Sequence, residues 1–155
     1  MNPNRILPDL QSALICEQVR REANGNFFLI GIISGVVTPQ VPITAPQLCV
    51  FTRWTRGRGE FLEKVRLIGT DGTTELRAGE TQFQLGDPSH PGTNVTFFPA
   101  LEFKEQGVYQ IEVSVDGVVK GRFPMPLVVM KPNEQGQPTP PPAPAPEEEG
   151  KEPEA

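Results

Sequence analysis

Asp87, Ser89 and His90 set an acid, a hydroxyl and an imidazole within four residues, the trio that nucleophilic acyl transfer employs. That chemistry needs the imidazole to bridge hydroxyl and acid in space, a geometry that adjacent loop residues around Pro88 rarely reach. The segment therefore reads as a solvated turn. His90 is the single histidine, and the two cysteines, Cys16 and Cys49, are far apart in sequence, so zinc-ligand spacing is absent. Asp71-Gly72 and Asp116-Gly117 offer single oxygens rather than the alternating acids of a calcium loop. No glycine cluster leads from a strand into a helix to cradle phosphate. No catalytic residue, cofactor or metal is expected, and the chain is not expected to be an enzyme.

Two groups of residues suggest binding instead. Arg53, Trp54, Arg56 and Arg58, followed by Lys64 and Arg66, form the one basic concentration and surround the single tryptophan. Arginine forks beside an indole can grip a carboxylate, a phosphate or a sugar, and a charged hairpin that resists edge pairing is the plainer reading. The second group is Phe28, Ile30 and Ile32, which alternate with Phe27, Leu29 and Ile33 so that both faces of one strand are apolar. A large apolar side chain left wet forfeits about 1.5 to 3 kcal/mol. Either a loop or a central position in the fold covers the second face, or another chain does.

The elements that must carry these residues are strands. Tyr109, Ile111, Val113 and Val115 recur at every second position and run into Asp116-Gly117 and a further apolar run, which spells a β-hairpin. Similar segments lie at about Ser12–Arg20, Phe27–Val37, Gln47–Thr55, Glu60–Ile68, Thr73–Arg77, Thr81–Leu85, Thr93–Phe98 and Val118–Val129. In Glu60–Ile68, Phe61, Val65 and Leu67 point inward against Lys64 and Arg66. Asn24-Gly25-Asn26 and Thr70-Asp71-Gly72 make turns, Arg56–Gly59 a basic hairpin tip, and residues 38–46 and 86–92 proline-bearing loops. Pro124-Met125-Pro126 marks an edge strand or a bulge. A helical stripe over Asp9–Glu22 fits less well than the hairpin that ends at Asn24-Gly25. The fold class is all-β: an antiparallel two-sheet, immunoglobulin-like sandwich of eight or nine strands.

Composition divides the chain into a β-sandwich domain over residues 1–130 and a proline-rich acidic tail over residues 131–155. The tail holds eight of eighteen prolines and no large apolar side chain, so it cannot bury a core. Residues 1–130 contain 13 acids and 12 bases, and the tail 6 acids and 2 bases. A nearly neutral body with an acidic tail argues against nucleic acid as a partner. The longest apolar run, residues 27–37, is too short for a membrane helix and the amino terminus lacks a signal-peptide core, so a cytoplasmic chain with reduced, buried cysteines is expected. A disulfide between neighbouring strands is the other reading of Cys16 and Cys49.

Strand one ending in Arg-Glu, the Asn-Gly-Asn turn into Phe-Leu-Ile-Gly, and the run from Phe103 through Gln106-Gly107-Val108-Tyr109 to Val115-Asp116-Gly117 resemble an uncharacterised bacterial family of single β-sandwich domains. The resemblance covers about residues 10 to 130 and implies fold and a bacterial cytoplasmic setting, with no catalytic residues. The functional expectation is a non-enzymatic protein-binding or scaffolding module, its partner another protein or a second copy. A small-ligand or carbohydrate-binding module using Trp54, Tyr109 and the loop at residues 86–92 is the alternative.

Overall fold

The computed structural model describes residues 4–131. The expectation of a proline-rich acidic tail falls almost wholly outside the described residues. Nine strands and no helix are found among them: β1 Asp9–Arg21, β2 Phe27–Ile32, β3 Val36–Thr38, β4 Ile43–Thr55, β5 Gly59–Ile68, β6 Glu75–Leu85, β7 Gly92–Phe103, β8 Gly107–Val115 and β9 Val118–Val129. They form a four-stranded sheet in the order β2-β1-β4-β7 and a five-stranded sheet in the order β3-β9-β8-β5-β6. All pairings are antiparallel except β3 with β9. Among the described residues no helix is long and apolar enough to cross a membrane.

The two sheets share one core because each contributes its inward period-two set. Leu48, Val50, Trp54 and Phe98 from the smaller sheet meet Phe61, Val65, Leu67, Ile111, Val113 and Met125 from the larger. Trp54 stacks on Phe83 at 5.7 Å, and Phe103 meets Tyr109 edge-on at 5.0 Å. The Tyr109 hydroxyl donates to the Glu105 carbonyl at 2.7 Å, pinning the corner before β8. A tyrosine near the start of this strand that bonds back to the corner, like the two-sheet arrangement itself, is consistent with an immunoglobulin-like sandwich.

Four local expectations need correction. Residues 27–37 do not form one strand: β2 ends at Ile32, the chain crosses at residues 33–35, and β3 joins the other sheet. Arg56–Gly59 is a corner between sheets rather than a hairpin tip, since β4 and β5 lie in different sheets. Residues 43–46 belong to β4 rather than to the preceding loop. The two short strands at residues 73–77 and 81–85 are one, β6. Gly79 reads as a breaker in sequence, but in the fold it makes room for a neighbour: a Cβ there would lie 2.6 Å from the Thr96 methyl of β7.

The β1–β2 hairpin is not flat. Phe27 stands opposite Arg21, and Phe51 opposite Leu14. On a straight strand those two rungs lie about 23 Å apart, yet the Phe27 and Phe51 rings meet edge-on at 5.8 Å. The end of the hairpin therefore folds back across the outer face of the four-stranded sheet. The turn lies at Glu17 and Gly31, which the register passes over, and Gly31 takes φ +67°. Any side chain there would be strained by that φ and would meet Glu17 at 2.8 Å. The folded-back part, residues 18–30, forms an arm over that face.

Candidate interaction surface

The arm has two faces. Its underside carries the half-buried Val19, Phe27 and Leu29 and covers the outward residues Cys16, Cys49 and Phe51 of the sheet below, which are all buried. None of those three belongs to the core between the sheets, so the arm makes a second, smaller apolar layer. Its top carries Phe28 at 54 % exposure and Ile30 at 41 %, and Ile32 continues the line at 58 %. Neither the segment at residues 38–46 nor a central position in the sheet covers them, because β2 is the outermost strand.

Beyond Ile32 the apolar surface continues. A groove of about 460 Å³ runs between the crossover and the β3–β9 edge, lined by Ile32, Ile33, Gly35, Val37, Pro126 and Val128 among others. Val37 and Val128 are paired across β3 and β9, and both are exposed. From Phe27 to Thr38 the chain has no charged residue and no proline. The other long edge strands differ: β6 carries Glu75, Arg77 and Glu80, and β7 carries Pro99 and Glu102.

The basic residues do not gather. Trp54 is fully buried and donates its indole N–H to Glu63, so it presents nothing to a partner. Parity within β4 puts it on the inward side with Leu48, Val50 and Thr52. Arg53 points to the opposite, outer side of the same strand. Arg56 and Arg58 are exposed at the corner, and the Arg58 backbone exchanges hydrogen bonds of 2.9 Å with Ile6. Lys64 and Arg66 lie on the outer face of the other sheet, 3.5 and 3.6 Å from Glu75, with Arg66 also 3.2 Å from Glu112. The expected shared patch is thus split over two sheets and a corner.

The Ser89 hydroxyl donates directly to Asp87 at 2.8 Å, and the same nitrogen of the exposed His90 ring, Nδ1, faces both Ser89 at 3.3 Å and Asp87 at 3.7 Å, so the two ring nitrogens do not bridge hydroxyl and acid. Asp71 accepts from the Thr74 hydroxyl and from the Thr74 and Thr73 backbone N–H groups, bonds that hold its carboxyl down to about 2 and close a turn. No group of three or more His, Cys, Asp or Glu that could hold a metal ion occurs among the described residues.

Sequence reasoning missed Glu63. It lies in the core, where one carboxylate oxygen accepts from the Thr52 hydroxyl at 2.7 Å and from Trp54, and the other has no partner. Burial pushes its carboxyl up, and the bonds from Thr52 and Trp54 oppose that rise. Asn94 lies near enough to contribute, although its amide nitrogen makes no hydrogen bond. The period of β5 alone carries the signal, since Phe61, Glu63, Val65 and Leu67 are one inward set.

The chain belongs to a family of unknown function, DUF6941, which matches residues 11–128, from the start of β1 to the end of β9. No curated protein matches the sequence.

Proposed function

We propose that this member of the DUF6941 family is a non-enzymatic protein-binding module that recognises an uncharged, extended protein segment along β2. One observation carries the reading: β2 is an edge strand whose apolar side chains stay exposed and which lacks the charges and prolines that keep edges from pairing. A strand added there gains main-chain hydrogen bonds, and every second side chain of it reaches Phe28, Ile30 or Ile32. The adjoining groove supplies a pocket for an apolar anchor. The proposal keeps a cytoplasmic setting for the domain. The carbohydrate-binding alternative loses its support, because Trp54 and Tyr109 are both buried.

Ile30→Lys tests the reading. The substitution sits on an exposed position, so stability should change by no more than about 0.5 kcal/mol. Proteins captured by the parent chain are identified and titrated against both forms. A captured protein whose affinity drops at least about tenfold with Ile30→Lys supports the reading. Light scattering covers the case in which the partner is a second copy: a dimer mass at high concentration that Ile30→Lys returns to monomer supports it equally. Unchanged affinity for every captured protein, with an unchanged mass, rejects it.

A further inference from the structure

The two cysteines are the only ones in 155 residues, and the fold sets them directly opposite each other: Cys16 of β1 pairs with Cys49 of β4 in antiparallel register. Opposed residues have Cβ atoms about 4.5 to 5.5 Å apart, and a disulfide needs about 3.5 to 4.5 Å. The strands need close by only about an ångström. Both thiols are free and buried under the arm. The β1–β4 ladder ends at this same rung, and beyond it β1 separates from β4 to leave a cleft of about 500 Å³ lined by Glu17 and Leu48, which adjoin the pair, and by Gln18 and Gln47 one residue further on. The Cys49 thiol donates to the Glu17 carbonyl at 3.7 Å, at the arm's hinge.

We propose that Cys16 and Cys49 are a redox-convertible pair, which a hydroperoxide joins into a disulfide that clamps the base of the arm. One thiol loses its proton and attacks a peroxide oxygen; the O–O bond breaks, an S–O bond forms, and the departing oxygen takes up a proton as water. The opposed thiol then attacks that sulfenic sulfur, the S–S bond forms, the S–O bond breaks, and hydroxide leaves with the second thiol's proton as a second water. Two thiols give up two electrons, and one hydrogen peroxide becomes two waters. The resolving thiol is already in place, so the sulfenic acid is trapped before it oxidises further.

Burial pushes both thiols up, Cys16 to about 11 with Cys49 beside it adding to the rise. They are poor nucleophiles while covered, so reaction follows lifting of the arm. Phe27 on Phe51 is an aromatic contact between the arm and the sheet beneath it, on the underside that Val19 and Leu29 share.

The test uses the full chain treated with hydrogen peroxide, then denatured and alkylated before its mass is measured. A product about 2 Da below the reduced chain, with no alkylatable thiol and full reversal by dithiothreitol, is expected. Cys16→Ser and Cys49→Ser should each abolish it. Phe27→Ala should speed disulfide formation about tenfold, while Val113→Ala, which weakens the opposite sheet, should leave the rate near the parent's. Two alkylatable thiols after treatment, or a product made only of sulfinic acids or intermolecular dimers, overturns the pair. Equal acceleration by both variants overturns the arm's role, because global unfolding would then be the route. None of these readouts depends on a partner, so the outcome is separate from that of the Ile30→Lys experiment.

Discussion

The outer faces of the two sheets solve the same problem in opposite ways. On the five-stranded sheet, Glu112 accepts from Arg122 at 2.9 and 3.2 Å and meets Arg66 at 3.2 Å, while Glu75 meets Arg66 and Lys64. Charges on neighbouring strands neutralise each other across the middle of this face, and Val37, Val108 and Val128 are exposed toward one end of it. The four-stranded sheet presents Leu14, Cys16, Cys49, Phe51 and Phe97 outward, and only the part beneath the arm is covered. The cover is itself apolar on top. The charged middle of one face ends the hydrophobic structure, whereas the other passes the exposure outward to Phe28, Ile30 and Ile32, where the proposed interaction surface lies.

The largest expected effect comes from removing what the arm covers. Phe51→Ala deletes a buried ring on the outer face and should cost about 3 to 5 kcal/mol in denaturant unfolding. Phe97 lies on the same face, one strand away and half exposed, and Phe97→Ala should cost less than about 1 kcal/mol. The difference measures the arm. Equal costs would mean that the hairpin does not shelter Phe51 in solution, and the contrast between the two faces would shrink to composition alone.

How far the sequence could foresee this depends on whether a feature is local. The Tyr109–Val115 alternation, the turns at Asn24-Gly25-Asn26 and Thr70-Asp71-Gly72, and the inward and outward sets of Glu60–Ile68 are all fixed by neighbours a few residues away, and they appear in the fold as read. Residues 27–37 were opaque because two-sided apolarity has three sources there that periodicity merges: an underside against Phe51, an exposed top, and a crossing to the other sheet. Gly31 is the residue that makes this possible, yet a glycine in a strand pattern is equally consistent with a plain bulge. Trp54 was legible in principle from the parity of Leu48, Val50 and Thr52. Its arginine neighbours drew attention to local composition, and no local signal says that β4 and β5 part into different sheets.

A second, smaller effect tests the charged face. Glu112→Ala leaves Arg66 and Arg122 without the carboxylate they share, and hydrogen bonds to a charged group of this burial are worth about 2 kcal/mol. Lys64→Ala, at the exposed end of the same ladder, should change stability by less than about 0.5 kcal/mol. Urea unfolding of both variants at low and high salt separates the cases. A loss for Glu112→Ala no greater than that for Lys64→Ala would show that the ladder is solvated decoration and that the five-stranded face is not held by its ion pairs.

The smallest effect uses the same side chain on the opposite face of the same sheet. Glu112 is outward and neutralised by arginines, whereas Glu63 is inward with hydroxyl and indole donors on one oxygen and nothing on the other. Desolvation raises the Glu63 carboxyl above its ordinary value of 4.5, so the folded state binds its proton more tightly than the unfolded chain does. Its contribution to stability is complete below about pH 4.5 and is lost as pH climbs from there through the raised folded-state value. Glu63→Gln keeps an oxygen for Thr52 and Trp54 and removes the ionisation. The variant should match the parent in acid, melt higher than the parent at neutral pH, and show a flatter stability profile between. If the parent instead gains stability from Glu63 as pH rises through this window, the carboxylate is the form the core prefers, and the distinction between a charge stabilised outside and one penalised inside this sheet fails at the residue where it should be plainest.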